Sequence, residues 1–194
     1  MEPDRLPAFT FLARLPLTRA ALEFARERHT DQLRVADGAP FLLHPLEVAA
    51  LLDRDDQPDR VTAAAVLHDV LEDTDAERSE LEARFGGEVA ELVAAVSDDP
   101  SIADEEARKD DVRERVRRLG GHAAALYAAD KISKVRELRL LAAIGSPPAE
   151  VEVRLIRYTR SLEMLDETIP GDRLVEVLRF ELEALKELPP GRSS

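Results

Sequence analysis

The most apolar part of the chain lies between Val61 and Leu71, where hydrophobic residues occupy almost every position of the run VTAAAVLHDVL. A helix that is apolar on all sides has no face to turn to solvent and belongs in a protein core. We therefore predict a central, buried helix over residues 58–72. Further helices are predicted at residues 18–30, 44–54, 77–84, 88–97, 102–119, 122–143, 149–167 and 171–187.

Proline, glycine and short polar clusters separate these helices. Asp37-Gly38 and Pro40 indicate a loop over residues 31–43. Only eight glycines occur, and the helix-favouring residues Ala, Leu, Glu and Arg dominate. The sequence therefore predicts an all-α fold, a single helical bundle. Its expected boundaries are an irregular N-terminal arm at 1–17, the domain at 18–188 and a frayed tail at 189–194.

The net charge argues against a nucleic-acid partner. The chain has 27 Lys and Arg residues against 40 Asp and Glu residues, a formal charge of −13, whereas proteins that bind nucleic acid usually have a basic surplus. A negatively charged small molecule would need basic side chains that gather locally, or a metal cation.

Cysteine usage and hydropathy narrow the class of protein further. The sequence has no Cys, which rules out disulfides, thiolate metal sites and a Cys nucleophile. No run reaches the roughly 18 consecutive apolar residues of a membrane span. The start MEPDRLPAFTFLARLPL is a poor secretory signal, because it contains acids and three prolines. We expect a cytoplasmic protein without membrane contact, and the sequence leaves its oligomeric state open.

Polar residues appear abruptly at the end of the apolar helix, in AAAVLHDVLEDT. Glu72 and Asp73 follow Asp69 by three and four residues, so on a helix they share its side. Three carboxylates beside the imidazole of His68 repel one another and lose hydration unless they are paired. A divalent cation would resolve this conflict. The alternative is a polar helix end that leads into a charged turn.

His44 and Asp130 extend this set of polar residues. His44 opens a helix in HPLEVAA, and Asp130 ends the apolar run AALYAAD. Each has an ordinary structural interpretation, His44 as a helix cap and Asp130 as an ion-pair partner of Lys131 or Arg136. Together with the His-Asp pair above, they supply two imidazoles and two carboxylates. A metal ion bound by such a set keeps coordination positions open for water and substrate, which is typical of a metallohydrolase.

This order of residues resembles the HD superfamily of metal-dependent phosphohydrolases. More narrowly, about residues 18–185 resemble the hydrolase domain of the Rel/SpoT enzymes, and above all its stand-alone forms, the small alarmone hydrolases. The segments that carry the resemblance are ALEFARERHTDQLR, DGAPFLLHPLEVAALL, AAAVLHDVLEDT, LEARFGGEVAELVAAVSDD, ARK and ADKISKVREL.

The resemblance implies roles for particular residues. Four residues would bind one Mn²⁺ ion: His44, His68, Asp69 and Asp130. Their neighbours Glu72 and Asp73 match a Glu-Asp pair credited with activating the attacking water. Three further residues match positions that approach the nucleotide: Arg34, Arg154 and Tyr158.

The chain departs from the family pattern around the expected nucleotide. Val35 stands in place of a Lys, Lys134 in place of an Asn that helps to hold the nucleoside, and Ala107 in place of the first residue of a Glu-Arg-Lys triplet. One phosphate-binding cation is lost and another is gained. The candidate phosphate cations are Arg34, Arg108, Lys109, Lys131, Lys134 and Arg154. Each of them is alternatively a solvated surface charge.

The resemblance implies a Mn²⁺-dependent hydrolase that removes the 3′-pyrophosphate of an alarmone nucleotide, (p)ppGpp or (p)ppApp. Its products would be a nucleoside 5′-diphosphate or 5′-triphosphate and pyrophosphate. Two alternatives stay open. One is an HD phosphohydrolase that acts on a nucleoside monophosphate, a dinucleotide or NADPH. The other is a nucleotide-sensing module without catalytic activity. The departures from the family pattern at Val35 and Lys134 are the reason to consider it.

Overall fold

The computed structural model describes residues 7–187, so the predicted tail at 189–194 and the first part of the predicted arm lie outside the described residues. Within that range the secondary structure is helical, and the all-α prediction is confirmed. A 3₁₀ helix, Pro7–Arg14, comes first. The α-helices are α1 Pro16–Arg28, α2 Leu43–Arg54, α3 Asp59–Leu67, α4 Val70–Asp73, α5 Arg78–Phe85, α6 Gly87–Val96, α7 Glu105–Leu119, α8 Gly121–Ala143, α9 Pro148–Thr168 and α10 Arg173–Lys186. None of these helices is long and apolar enough to cross a membrane.

Helix α3 lies at the centre of the core, as its apolar sequence predicts. Every residue from Val61 to Leu67 is buried, and α3 packs against α1, α2, α6 and α8. Helix α8 supplies much of the remaining buried surface, with Leu126, Ile132 and Leu138 among its core residues. Burial of each such aliphatic side chain stabilises the fold by roughly 1.5–3 kcal/mol. The helices that carry the predicted site are thus held rigidly by the core.

The helix predicted over residues 58–72 is interrupted at His68 and Asp69. Helix α3 ends just before these residues, and the single turn α4 begins just after them. His68 Nδ1 lies 2.7 Å from the carbonyl oxygen of Ala65, so a side chain satisfies this carbonyl where α3 ends. Adjacent side chains on a regular helix point about 100° apart. Both residues keep right-handed helical φ and ψ angles, and their side chains nevertheless reach one site, where His68 Nε2 is 3.1 Å from Asp69 Oδ2.

The described part of the predicted arm contains 3₁₀ turns that are interrupted by a kink. Helical turns run from Pro7 to Arg14, and Phe9 between them has non-helical angles, φ −122° and ψ 21°. Phe11 and Leu12 of this segment and Leu15 after it are buried in the core. Their burial explains why the segment lies against the domain, because apolar side chains gain by facing the core rather than solvent.

Helix α1 begins at Pro16, earlier than the predicted Thr18, and another helix caps it. The Asp59 carboxylate, at the start of α3, accepts from the backbone N–H groups of Leu17 at 3.0 Å and Thr18 at 2.9 Å. Proline suits the first turn of a helix, where its missing N–H costs nothing. A cap supplied from a distant helix satisfies orphan N–H groups just as a local one does, yet it leaves no local sequence signal.

The loop between α1 and α2 folds back on itself and forms a wall beside the predicted site. It turns at Gly38, whose φ of +67° is a conformation that residues with a side chain rarely adopt. The backbone N–H of Arg34 donates to the carbonyl of Ala39 over 2.8 Å, and Leu33 and Pro40 form an isolated bridge. Arg34 thereby lies beside α8, with its Nε 3.9 Å from Glu137 Oε1, and it lines the same cleft as His44 of α2.

Candidate active site

Four polar side chains meet where α2, α3 and α8 come together. His44 is the second residue of α2, His68 and Asp69 occupy the break after α3, and Asp130 lies in the first half of α8. All four are buried, with 2% to 8% of their surface exposed. The structure thus brings together the whole set predicted to bind a metal.

The donor atoms of these residues lie close to one another. His44 Nε2 is 3.2 Å from His68 Nε2. It is 3.4 Å from Asp69 Oδ2 and 3.3 Å from Asp130 Oδ1. His68 Nε2 is 3.1 Å from Asp69 Oδ2 and 3.4 Å from Asp130 Oδ1. Two donor atoms that each lie about 2.1 Å from one ion are about 3.0–3.4 Å apart for angles between 90° and tetrahedral. His44, His68 and Asp130 therefore form a group that could hold one divalent ion, and Asp69 Oδ2 lies beside both imidazoles of that group.

Hydrogen bonds on the far side of each imidazole leave its Nε2 free to bind. His68 Nδ1 faces the Ala65 carbonyl, which only accepts, so Nδ1 carries the proton of the neutral ring. His44 Nδ1 lies 2.9 Å from the Ser133 hydroxyl, and that hydroxyl donates to Glu47 Oε2 over 2.8 Å. The hydroxyl therefore accepts from His44 Nδ1. In the neutral forms, two Nε2 lone pairs face the carboxylates, an arrangement that a bound cation stabilises.

The charges at this site favour a positive occupant. Burial disfavours a charged His68, yet attraction to Asp69 and Asp130 outweighs it and raises the pKa of His68. A proton and a metal ion compete for such a nitrogen. Burial also opposes ionisation of Asp130, but Lys131 and Lys134 lower its pKa well below the usual range. Asp130 Oδ1 is buried without a hydrogen bond of acceptable geometry, although Lys134 Nζ is 3.2 Å away.

Glu72 and Asp73 lie on α4, next to the four buried residues. The backbone N–H of Asp98 donates to Glu72 Oε1 over 2.8 Å and fixes that carboxyl. Partial loss of hydration raises the pKa of both Glu72 and Asp73, and the Asp69 carboxylate raises both further. A carboxylate with a raised pKa is a stronger proton acceptor. The pair is thus suited to general-base chemistry at the edge of the site.

A cleft of 340 Å³ opens over these residues, between the α1–α2 loop and helices α8 and α9. Its walls are formed by side chains that are far apart in the sequence. Predicted site residues in its walls are Arg34, His44, Asp69, Glu72, Asp73, Lys134 and Arg154. The rim contributed by the loop is partly apolar, with Leu33, Val35 and Phe41.

A second cavity, of 250 Å³, lies between α7, α8 and α9, and we call it the basic cavity. Lys134 and Arg154 line both the basic cavity and the cleft, so the two adjoin there. Its cationic lining consists of Lys109, Arg113, Lys131, Lys134, Arg154 and Arg157, against the acidic Glu105. Tyr158 also lines it. In a chain of net negative charge, such a cluster creates a local attraction for anions.

Comparison with protein families agrees with this geometry. The sequence model described as the HD domain matches residues 21–170, a range that includes all four residues of the predicted metal site. The chain belongs to the HD-domain family. The prediction of an HD-type fold is thereby confirmed.

Several relatives of this HD domain share the name guanosine-3′,5′-bis(diphosphate) 3′-pyrophosphohydrolase. The guanosine-3′,5′-bis(diphosphate) 3′-pyrophosphohydrolase MESH1 of Danio rerio is 36% identical over 120 residues, 60% of this chain and 66% of the relative. MESH1 of Mus musculus is 34% identical over 121 residues, 61% of this chain and 67% of the relative. A guanosine-3′,5′-bis(diphosphate) 3′-pyrophosphohydrolase of Aquifex aeolicus is 46% identical over 77 residues, 40% of this chain and 11% of the relative. The matches thus span about two thirds of each MESH1 relative and a small part of the Aquifex protein.

Solved structures share the HD-domain fold. A metazoan orthologue of SpoT, described as hydrolysing ppGpp, superposes with a TM-score of 0.77 at 26% identity, covering 89% of this chain and 97% of that one. A Listeria monocytogenes protein superposes with a TM-score of 0.67 at 24% identity, covering 76% of this chain and 98% of its own. The second match supports the fold alone.

Two predicted substrate residues of the HD domain have other contacts in this structure. The Arg108 guanidinium donates to the carbonyl of Ile102 over 2.8 Å and to that of Ala103 over 3.3 Å, and Arg108 lines neither the cleft nor the basic cavity. Its role in substrate binding stays a prediction that its position does not support. Lys109 lines the basic cavity, and its ammonium is 2.7 Å from Asp98 Oδ2.

Sequence reasoning missed two residues behind the predicted metal ligand His44, namely Ser133, which contacts it, and Glu47, which contacts Ser133. Glu47 follows His44 by three residues and Ser133 follows Asp130 by three, so each lies on the helix face of a predicted ligand. That spacing was the available signal. Sequence reasoning also missed an arginine on each side of the basic cavity, Arg113 on α7 and Arg157 on α9. The sequence of a highly charged helix does not reveal which of its charges point inward.

Proposed function

We propose that this HD domain is a Mn²⁺-dependent hydrolase that removes pyrophosphate from the 3′ position of an alarmone nucleotide, (p)ppGpp or (p)ppApp. The observation that carries the proposal is the junction at Lys134 and Arg154, where a cavity lined by cations adjoins the cleft beside the buried imidazoles and carboxylates. Relatives named as ppGpp hydrolases support it. A cytoplasmic location belongs to the same proposal, and the absence of Cys fits a reducing compartment.

The proposed metal ligands are His44, His68, Asp69 and Asp130. Two imidazoles with two carboxylates suit a divalent transition metal, of which Mn²⁺ is the one that we propose. When bound, such an ion lowers the pKa of water and neutralises charge on phosphoryl oxygens. The far-side hydrogen bonds of both imidazoles hold their Nε2 atoms ready for this ion.

Glu72 and Asp73 are the proposed catalytic pair. Their carboxylates, with raised pKa values, orient a water molecule in the cleft and accept its proton. The water oxygen forms a bond to the phosphorus of the 3′ ester. The bond from that phosphorus to the 3′ oxygen breaks, and the 3′ oxygen keeps the electron pair and takes up a proton. Pyrophosphate and the nucleoside 5′-diphosphate or 5′-triphosphate leave as products.

The remaining residues are proposed to position the substrate. Lys134 and Arg154 present positive charge at the junction of the cleft and the basic cavity, where phosphate groups would lie. Lys131 adds its charge from the wall of the basic cavity, where it also pairs with Asp130 over 2.6 Å. Arg34 lines the cleft from the loop, where its Nε lies 3.4 Å from Asp37 Oδ1 and 3.9 Å from Glu137 Oε1 without a hydrogen bond, and a phosphate group would compete with these carboxylates for the guanidinium. Tyr158 lines the basic cavity beside these cations.

The test is a panel of nucleotides incubated with metal-reconstituted protein, with the products separated by ion-exchange chromatography. We expect ppGpp or ppApp to yield the nucleoside 5′-diphosphate and pyrophosphate in equal amounts. Cleavage of only nucleoside monophosphates, dinucleotides or NADPH would contradict the proposal and favour another phosphohydrolase. Tight nucleotide binding without any product would instead indicate a silent sensing module.

A further inference from the structure

A continuous chain of hydrogen bonds links the predicted metal ligand His44 to helix α10, which is remote from the cleft. His44 Nδ1 lies 2.9 Å from Ser133 Oγ, and Ser133 Oγ lies 2.8 Å from Glu47 Oε2. The other oxygen of Glu47 accepts from Arg136 Nη1 over 2.8 Å. Arg136 Nε in turn donates to Glu181 Oε1 over 2.7 Å. The chain therefore crosses from α2 to α8, back to α2, again to α8, and ends on α10.

Burial and charge hold two members of this series of hydrogen bonds in place, Ser133 within it and Glu181 at its far end. Ser133 is 3% exposed and Glu181 is 6% exposed, so neither competes freely for bulk water. A second arginine of α8, Arg139, donates to Glu181 Oε2 over 2.8 Å. A buried carboxylate held by two guanidiniums is a strong, charge-assisted anchor. Arg136 is thus held in place on the side away from Glu47.

The direction of every proton in the chain follows from the groups involved. Arginine only donates and an ionised carboxylate only accepts, so Arg136 donates to Glu47. The Ser133 hydroxyl, which faces the second oxygen of Glu47, must donate to it. Its oxygen is then the acceptor for His44, and His44 must carry its proton on Nδ1. The Glu47 carboxylate, held by Arg136, thus determines the tautomer of His44 through the Ser133 hydroxyl.

We propose that Ser133 and Glu47 are positioning residues that hold His44 in the tautomer with a free Nε2 and thereby set the metal affinity of the site. The inference rests on the proposed metal site, and it concerns residues to which the resemblance assigns no role. Hydrogen-bond partners of this kind typically change metal affinity by about 10–100-fold when they are removed.

Removal of the serine hydroxyl has a defined expected effect. Ser133→Ala leaves His44 Nδ1 without its acceptor, so the ring is free to rotate and to place its proton on either nitrogen. We expect Mn²⁺ affinity to fall by about 10-fold. Ser133→Thr keeps the hydroxyl and should keep most of the affinity.

Glu47→Gln is the more informative variant, because it exchanges donor and acceptor in the hydrogen bonds that lead to His44, whereas Ser133→Ala removes one of these bonds. Arg136 still requires an acceptor, so the amide oxygen turns to the guanidinium and the NH₂ group turns to Ser133. The Ser133 hydroxyl then donates to His44 Nδ1, which moves the ring proton to Nε2 and blocks the metal. Glu47→Gln should therefore weaken Mn²⁺ binding more than Ser133→Ala does, towards about 100-fold.

The experiment measures Mn²⁺ affinity by isothermal titration calorimetry on the full chain, together with ¹⁵N NMR of the histidine side chains of the metal-free protein. In the wild type, at a pH where the imidazoles are neutral, the His44 signals should show protonated Nδ1 and bare Nε2. In Glu47→Gln they should show the reverse. Ser161→Ala is the matched control, since Ser161 is also a buried serine, bonded to Tyr127, and its loss should leave metal affinity unchanged.

Two results would overturn the inference: a wild-type His44 protonated on Nε2, or wild-type Mn²⁺ affinity in both Ser133→Ala and Glu47→Gln. The wild-type spectrum decides the matter even if a variant fails to fold. Nucleotide hydrolysis is assayed separately. If the wild type cleaves no alarmone while both variants lose metal affinity, the proposed function is wrong and the inference stands. If the wild type cleaves an alarmone while both variants bind Mn²⁺ normally, the reverse holds.

Discussion

Lys134 Nζ lies 3.2 Å from Asp130 Oδ1, one helical turn further along α8. Side chains at this spacing share a helix face, so the lysine reaches from the predicted metal site to the junction of the cleft and the basic cavity. Burial lowers the pKa of Lys134, but Asp130 and Asp69 outweigh burial and raise it well above its usual value. Lys134 is therefore a permanent cation at this junction. An Asn at this position would offer a donor and an acceptor without charge.

We predict that Lys134→Ala raises KM for a polyphosphorylated nucleotide more than it lowers kcat. This pattern is expected when the lost interaction stabilises the bound substrate and the transition state equally. The effect should shrink at high salt, because the Lys134 side chain is partly exposed and its charge is screened. Steady-state kinetics of Lys134→Ala and Lys134→Asn measure it, with the exposed Lys186→Ala as control. An unchanged KM in both Lys134 variants would show that this lysine binds no phosphate.

We predict that His68→Ala loses both bound metal and activity. His68 Nε2 is within 3.4 Å of donor atoms on His44, Asp69 and Asp130, so its removal opens the centre of the donor set. Elemental analysis after reconstitution gives the metal content. His122→Ala is the control, since His122 bonds to Gln57 and should leave metal content unchanged. Full metal occupancy in His68→Ala would contradict the ligand assignment.

Glu72→Gln and Asp73→Asn should separate chemistry from metal binding. Both replacements preserve side-chain size, and neither residue belongs to the buried donor set, so the fold and most of the metal should remain. Turnover should fall by about 10²-fold or more, as expected for loss of a general base. Single-turnover hydrolysis with metal content measured on the same samples checks this. Near-normal turnover in both variants would show that Glu72 and Asp73 have no catalytic role and only form the polar end of the helix.

The raised pKa of Glu72 has a consequence for stability. A carboxyl whose pKa is higher in the folded protein binds its proton more tightly there than in the unfolded chain. Between the two pKa values the folded state holds more protons, so stability falls as pH rises through this window and stays lower above it. Glu72→Gln removes this loss, and its amide oxygen still accepts from Asp98. The variant should therefore raise Tm of the metal-free protein at neutral pH.

In acid, below both pKa values of Glu72, the difference in Tm from the wild type should disappear. Thermal unfolding at the two pH values measures it. Glu152→Gln, an exposed replacement on α9, should leave Tm unchanged at both. A Glu72→Gln variant that is less stable than the wild type at neutral pH would show that the ionised carboxylate stabilises the fold.

The sequence by itself determined the helical class and the central position of α3. A run that is apolar on every side has one favourable environment, the core, whatever packs around it. The sequence also pointed to the four predicted metal residues. Isolated imidazoles and carboxylates within apolar runs are costly to bury without a partner, and their order matched the HD family. Both conclusions depend on local patterns of residues.

Only the tertiary structure decided how those residues are oriented. It placed a break at His68 and Asp69 inside a predicted continuous helix, and it paired Glu47 of α2 with Ser133 of α8 behind His44. It also turned Arg113 and Arg157, from two charged helices, toward one cavity. These relationships are contacts between helices, and they depend on how the helices cross and which rotamers fit between them. Helical periodicity records the face that a residue occupies but not the partner opposite it.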